Sequence, residues 1–214
     1  AGGATYNHTF ATTEDLSAVG TYPLKVSVTY LPTNPLNADM IIANDSMSKT
    51  FKQLDNPFID LTSVDFLDNI ESATVQEHIT NQVGLQGLDR YDFVTNTAFG
   101  RIRTFVNTGI AYSGSKALTL DADRFNGGGT ADSLKATFNL GGYDETTDDI
   151  RLDFRYKHHG QVSNAANRVW IRGSDTDPWI QAYDLYANQA LRGFFRRSAS
   201  IEVSDILAAN GQTY

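Results

Sequence analysis

The stretch Thr21 to Leu31, TYPLKVSVTYL, alternates Tyr22, Leu24, Val26, Val28 and Tyr30 with Pro23, Lys25, Ser27 and Thr29. A helix turning 3.6 residues per cycle cannot gather every second side chain on one face, whereas a strand does so by construction. The pattern predicts a β-strand with one buried face. The PTNPLNAD segment that follows sets two prolines beside two asparagines, which is turn chemistry. Further strands are expected over Tyr6 to Phe10 and Met47 to Leu54. Asp55-Asn56-Pro57 then makes a natural boundary, because the residue before proline is pushed out of helix. The chain is thus expected to comprise residues 1–56 and residues 57–214.

The same punctuation continues beyond Pro57. Strands are expected near Gly100 to Val106, Lys116 to Leu120, Ser133 to Leu140, Asp149 to Tyr156, Arg168 to Gly173 and Ser200 to Val203, separated by loops such as FNGGGTAD and GGYDETTDD. Five of the 25 acidic residues are glutamate, the rest aspartate, and threonine occurs 22 times. Asp, Asn and Gly favour turns while Thr, Val, Ile, Tyr and Phe favour strands, so composition and spacing agree on an all-β sandwich or jelly roll. Ala73 to Asn81 and Asp184 to Ala190 are read as a helical turn or two each.

Composition removes several functions. A net charge of -8 opposes nucleic-acid binding, which needs a basic surface to release counterions. No run approaches the roughly 18 apolar residues of a membrane span. The absence of cysteine excludes disulfides and thiol catalysis. A jelly-roll glycosidase would need two carboxyls about 5 to 9.5 Å apart, and no E-x-D-x-x-E run supplies them. Glu14, Glu71, Glu77, Glu145 and Glu202 are scattered, and no GxSxG or HExxH element is present. A non-catalytic module is expected. The chain opens at Ala1 without a charged-then-apolar leader, the form of a mature or excised segment.

The runs GRIRTFVNTGIAYSGSKALTLDADRF, LKATFNLGGYDETTDDIRLDFRYKHHGQ, AANRVWIRGSDTDPWIQAYDL and SIEVSDILAANGQ resemble the MAM-like jelly-roll modules of very large surface proteins in the Bacteroidota. Those proteins include gliding-motility adhesins and other type IX secretion cargo. DLSAVGTYPLKVSVTYLPTNPLNADM resembles the end of the immunoglobulin-like repeats that often precede such modules. The resemblance implies an antiparallel, concanavalin-like jelly roll over residues 57–214, preceded by the C-terminal part of an immunoglobulin-like sandwich over residues 1–56. It further implies an extracellular, cell-surface adhesion or binding role. The expected partners are a glycan or protein surface ligand, the secretion machinery in transit and other domains of the same long chain. A spacer in a multidomain stalk and a jelly-roll glycoside hydrolase stand as the alternatives.

Related jelly rolls commonly hold a structural calcium ion, and the matching positions here are Glu71, Ser113, Gly114 and Asp205, with Asp68 as a substitute where Ser204 replaces a second acid. Calcium suits such a set because it accepts six to eight oxygens at flexible geometry. For ligand contact the residues of choice are Trp179, which follows Asp177-Pro178 in an expected loop, and Tyr183. Trp170 and Tyr186 belong to the same aromatic group, although Trp170 in RVWIR is expected to face inward. Adjacent His158 and His159 point to opposite faces of a strand and do not share an ion. Arg151, Arg155, Lys157, Arg168 and Arg172 are read as partners of nearby aspartates in cross-strand pairs. The acidic loop around Asp144, Glu145, Asp148 and Asp149 is read as a solvated hairpin.

Overall fold

In the computed structural model the chain divides into two compact units, Ala1–Asp55 and Asn56–Tyr214. The structure describes residues 7–29, 45–79, 81–96, 100–106, 110–122, 131–158, 165–189 and 193–214. The protein is all-β with one short helix. Among the described residues no helix is long and apolar enough to cross a membrane.

The first unit holds a hairpin of β1 (Gly20–Ser27) and β2 (Ser46–Gln53). Its register sets Tyr22 opposite Phe51, Leu24 opposite Lys49 and Val26 opposite Met47, so alternation has gathered the apolar side chains as it should. The expected burial of that face is partial: Tyr22 and Val26 are half-buried, while Leu24, Met47 and Phe51 are exposed. A two-stranded ribbon has no second layer of its own. Asn7–Phe10 carries no strand, which corrects the described part of the expected Tyr6–Phe10 element.

The second unit contains β3 (Gln76–Ile79), β4 (Tyr91–Thr95), β5 (Gly100–Val106), β6 (Lys116–Ala122), β7 (Asp132–Ala136), β8 (Arg151–Leu152) and β9 (Arg155–Lys157). After these come β10 (Arg168–Ile171), β11 (Ile180–Asp184), β12 (Phe195–Arg197), β13 (Ile201–Glu202) and the helix α1 (Val203–Ala209). Every ladder between these strands is antiparallel: β3 with β5, β5 with β6, β4 with β7, β8 with β13, β9 with β12 and β10 with β11. Ala73, Ile79, Leu85, Leu88, Tyr91 and Phe93 form a buried core, with Ile70, Leu118, Leu134 and Ala136 packed against it.

Several expected elements change. Ala73 to Asn81 contains strand β3 instead of a helical turn, because pairing with β5 outweighs a weak local preference. Asp184 to Ala190 keeps the expected helical turn over its described residues, Asn188 N–H donating to the Asp184 carbonyl four residues back at 3.1 Å. The strand expected over Asp149 to Tyr156 is broken into β8 and β9, since the register against Ile201 and Phe195 slips by one residue between the two ladders. Ser198 fills the break: its Oγ accepts the Phe154 N–H at 3.0 Å and its own N–H donates to the Phe154 carbonyl at 2.9 Å. At the other end, Val203 and Ser204 N–H donate to the Ile150 carbonyl at 2.9 and 3.3 Å, which turns the chain from β13 into α1.

Candidate functional site

The β10–β11 hairpin carries the most distinctive exposed chemistry among the described residues. Val169 pairs with Tyr183 but Trp170 pairs with Gln181, so Ala182 is an extra residue on β11, a β-bulge. Without it, strict alternation would send Trp179, Gln181 and Tyr183 to one face. The bulge turns Tyr183 to the opposite side, beside Val169, where it is 8% exposed. There its ring packs edge-on against Phe154 and Tyr156, with centroids 6.0 and 6.2 Å away. The two phenol oxygens lie 3.2 Å apart. Tyr156 also donates to the Asn188 carbonyl, and burial together with the Tyr183 hydrogen bond pushes its phenol up to about 12. Tyr183 is therefore a core residue, and its expected place in a ligand platform is corrected by the bulge.

The outward face keeps Trp170, Arg172, Trp179 and Gln181. Trp170 is 48% exposed, against the expectation that it faces inward, and Trp179 is 47% exposed. Ile171 opposite Ile180 is the last register pair, and Arg172 meets Trp179 just beyond it, the guanidinium 4.4 Å from the ring centroid. Arg172 also donates to the Asp175 carbonyl at 2.8 Å and pairs with the Asp175 carboxylate. Lys135 lies 3.2 Å from Asp92 and 4.0 Å from Asp175. The cations on this side are thus matched by carboxylates.

The RGSDTDPW loop joining the two strands is fixed from within and from below. Ser174 Oγ donates to Asp177 at 2.7 Å. Gln212, buried near the C-terminus, accepts the Gly173 N–H at 2.9 Å and donates to the Pro178 carbonyl at 2.8 Å, so one side chain clamps both ends of the loop. Position 173 must be glycine for this approach, since a Cβ would stand 1.9 Å from the Thr213 carbonyl oxygen. Trp179 was legible from sequence as a loop-edge aromatic. Trp170 and Gln181 were not, because the bulge decides that they share a face.

The structure brings part of the expected calcium set together. Glu71 lies against the Ser113-Gly114-Ser115-Lys116 segment, from which Ser115 and Lys116 present donors. Ser115 N–H and Lys116 N–H donate to Glu71 Oε1 at 2.8 and 2.9 Å, and Ser115 Oγ–H donates to Oε2 at 2.8 Å. Lys116 Nζ in turn donates to the Glu71 and Ala73 carbonyls, both at 2.7 Å. These bonds, the backbone ones foremost, hold the Glu71 carboxyl below its ordinary value. Gly114 sits at φ +66°, and a Cβ there would come within 2.4 Å of Oε1. Three of a carboxylate's roughly four lone-pair sites are thereby taken.

Asp68 serves elsewhere, accepting the Ile70 N–H at 3.0 Å and the Tyr91 O–H at 3.1 Å, with Arg90 Nε 3.8 Å away. Asp205 is exposed in the first turn of α1. Ser204, whose Oγ accepts the Ile150 N–H at 2.8 Å and donates to the Asp148 carbonyl, is structural. Among the described residues no three carboxylates or imidazoles gather in a way that could hold a metal. Glu71, Asp68 and Asp205 are therefore not gathered as three ligands of one ion.

Arg151 and Arg168 behave as cross-strand partners, while Arg172 pairs within its loop. Arg151 bonds Asp149 at 2.9 and 2.8 Å and lies 3.0 Å from its register partner Glu202, while Arg168 lies 3.0 Å from its register partner Asp184. Arg155 stacks over Tyr112 at 4.6 Å. The acidic loop closes on itself, Asp144 accepting the Thr146 N–H and hydroxyl at 2.8 and 2.6 Å. His158 is half-buried, and His159 lies outside the described residues.

Comparison with known protein families, with characterised proteins and with solved structures yields no match.

Proposed function

We propose that the chain is a non-catalytic binding segment of an extracellular surface protein, with Asn56–Tyr214 as a MAM-like jelly-roll adhesion module and Ala1–Asp55 as part of an immunoglobulin-like sandwich. The observation that carries this reading is the outward face of β10–β11, where two half-exposed indoles stand on a hairpin whose loop is fixed by Gln212. Soluble folds tend to cover indole, and large aromatic surface held on a rigid element is characteristic of contact sites. Antiparallel pairing supports the sandwich reading, and the partly uncovered apolar face of β1–β2 supports a sandwich layer that needs a facing sheet. The scattered glutamates support a role without hydrolysis.

The test is a binding screen of the full 214-residue chain on a glycan array and on intact bacterial and host cell surfaces. Saturable binding lost on Trp179→Ala is the expected result. A chain that binds none of these surfaces is a spacer and the proposal fails; turnover of a polysaccharide would instead establish the hydrolase.

A further inference from the structure

We infer that the Trp170–Arg172–Trp179–Gln181 face binds a neutral pyranose chain; this rests on the binding-module reading above and names its ligand class. Three observations lead there. First, register places Trp170 opposite Gln181, and Trp179, two residues before Gln181, meets Arg172 just beyond the last pair. Diagonal neighbours on one sheet face lie about 7–8 Å apart, so one extended ligand can reach Trp170 and the Trp179 ring face that Arg172 does not cover. The C–H faces of pyranose rings pack on aromatic faces, while their hydroxyls need nearby donors and acceptors. The exposed Gln181 carboxamide, opposite Trp170, supplies both kinds.

Second, the face is organised before any ligand arrives. The Arg172 guanidinium lies 4.4 Å from the Trp179 ring centroid, and Arg172 is itself held by Asp175. Gln212 fixes the loop ends at Gly173 and Pro178. Preorganisation of this sort removes ordering cost from binding. Arg172 is thus a positioning residue for Trp179.

Third, the electrostatics select against charge. Arg172 is matched by Asp175, and Lys135 by Asp92 and Asp175. No unmatched cation among these residues waits for a uronate or sulfate, and the whole chain at -8 repels an acidic polymer. An uncharged ligand rich in hydroxyls complements this surface; an acidic one does not.

The experiment uses the full chain with laminarin, pullulan and galactomannan as neutral probes and alginate as the acidic one. Affinity is read by isothermal titration and by tryptophan fluorescence at low and high salt. The expected result is binding of at least one neutral polymer with a fluorescence change, insensitive to salt and weakened about tenfold or more by Trp170→Ala and by Trp179→Ala. Circular dichroism and the melting transition report whether those variants fold. Gln181→Ala, at an exposed position, gives an independent arm and is expected to weaken binding without shifting the fluorescence maximum of the free protein.

Binding confined to alginate and abolished by salt overturns the neutral-sugar assignment while leaving a binding module in place. So does binding of neutral polymer that survives all three variants, or binding to a cell surface stripped of glycan. A chain that binds no polymer and no cell surface overturns both readings together.

Discussion

Glu71 shows how a residue picked out for one chemistry can serve another. Its carboxylate receives two backbone N–H groups and one hydroxyl from the loop ahead of β6, and these bonds depress its pKa. A group whose folded pKa lies below its unfolded value contributes stability fully above the unfolded value, and loses it as pH falls through the folded one. Glu71→Gln should therefore lower Tm at neutral pH, with the gap to the parent closing on acidification below about pH 4.3; thermal melts of both proteins across acid pH check this. Because donors occupy the carboxylate, chelator should leave the parent Tm unchanged. A Tm that falls in chelator and returns with calcium would put an ion on Glu71 after all. Gly114→Ala should destabilise as well, since position 114 sits at φ +66° with Oε1 2.4 Å from the new Cβ.

At the scale of elements, two buried serines explain how short strands hold. Ser198 and Ser204 accept the N–H groups of Phe154 and Ile150 where the β8–β9 edge loses its strand partner. Alanine at either position removes an acceptor and leaves a backbone N–H unpaired, at a cost of about 1–3 kcal/mol each. Urea denaturation of Ser198→Ala and Ser204→Ala measures it, and a loss confined to a few tenths would mean that water replaces the hydroxyl. The β10–β11 hairpin depends likewise on a contact remote in sequence. Gly173→Ala should push Thr213 and Gln212 away from the loop, lowering Tm and red-shifting Trp179 emission as its ring gains solvent.

At the scale of the whole molecule, the two units differ in kind. Asn56–Tyr214 has its own apolar core, with Phe93 at 0% exposure, whereas β1–β2 leaves its apolar face partly uncovered. Phe93→Ala should cost about 3–5 kcal/mol, the usual penalty for emptying a fully enclosed phenylalanine site. Deleting residues 1–55 should leave the main calorimetric transition within a few degrees of the parent, because the contacts that melt there lie in the second unit. A collapse of that transition on deletion would make the hairpin part of the same cooperative core.

The sequence by itself determined the strand-rich character, the existence of strands beginning near Thr21 and Met47, and the absence of thiol chemistry. These are local properties: period-two alternation and turn residues act within a few positions and need no partner to be read. Only tertiary structure decided that Tyr183 is buried, since one extra residue at Ala182 reverses facing along β11 and nothing local in IQAYD marks it. The same holds for Glu71, whose donors lie 44 and 45 residues away. It holds also for Gln212, which reaches Gly173 across 39 residues. Facing and long-range hydrogen bonds are set by which segments meet, and that is settled by packing of the whole chain.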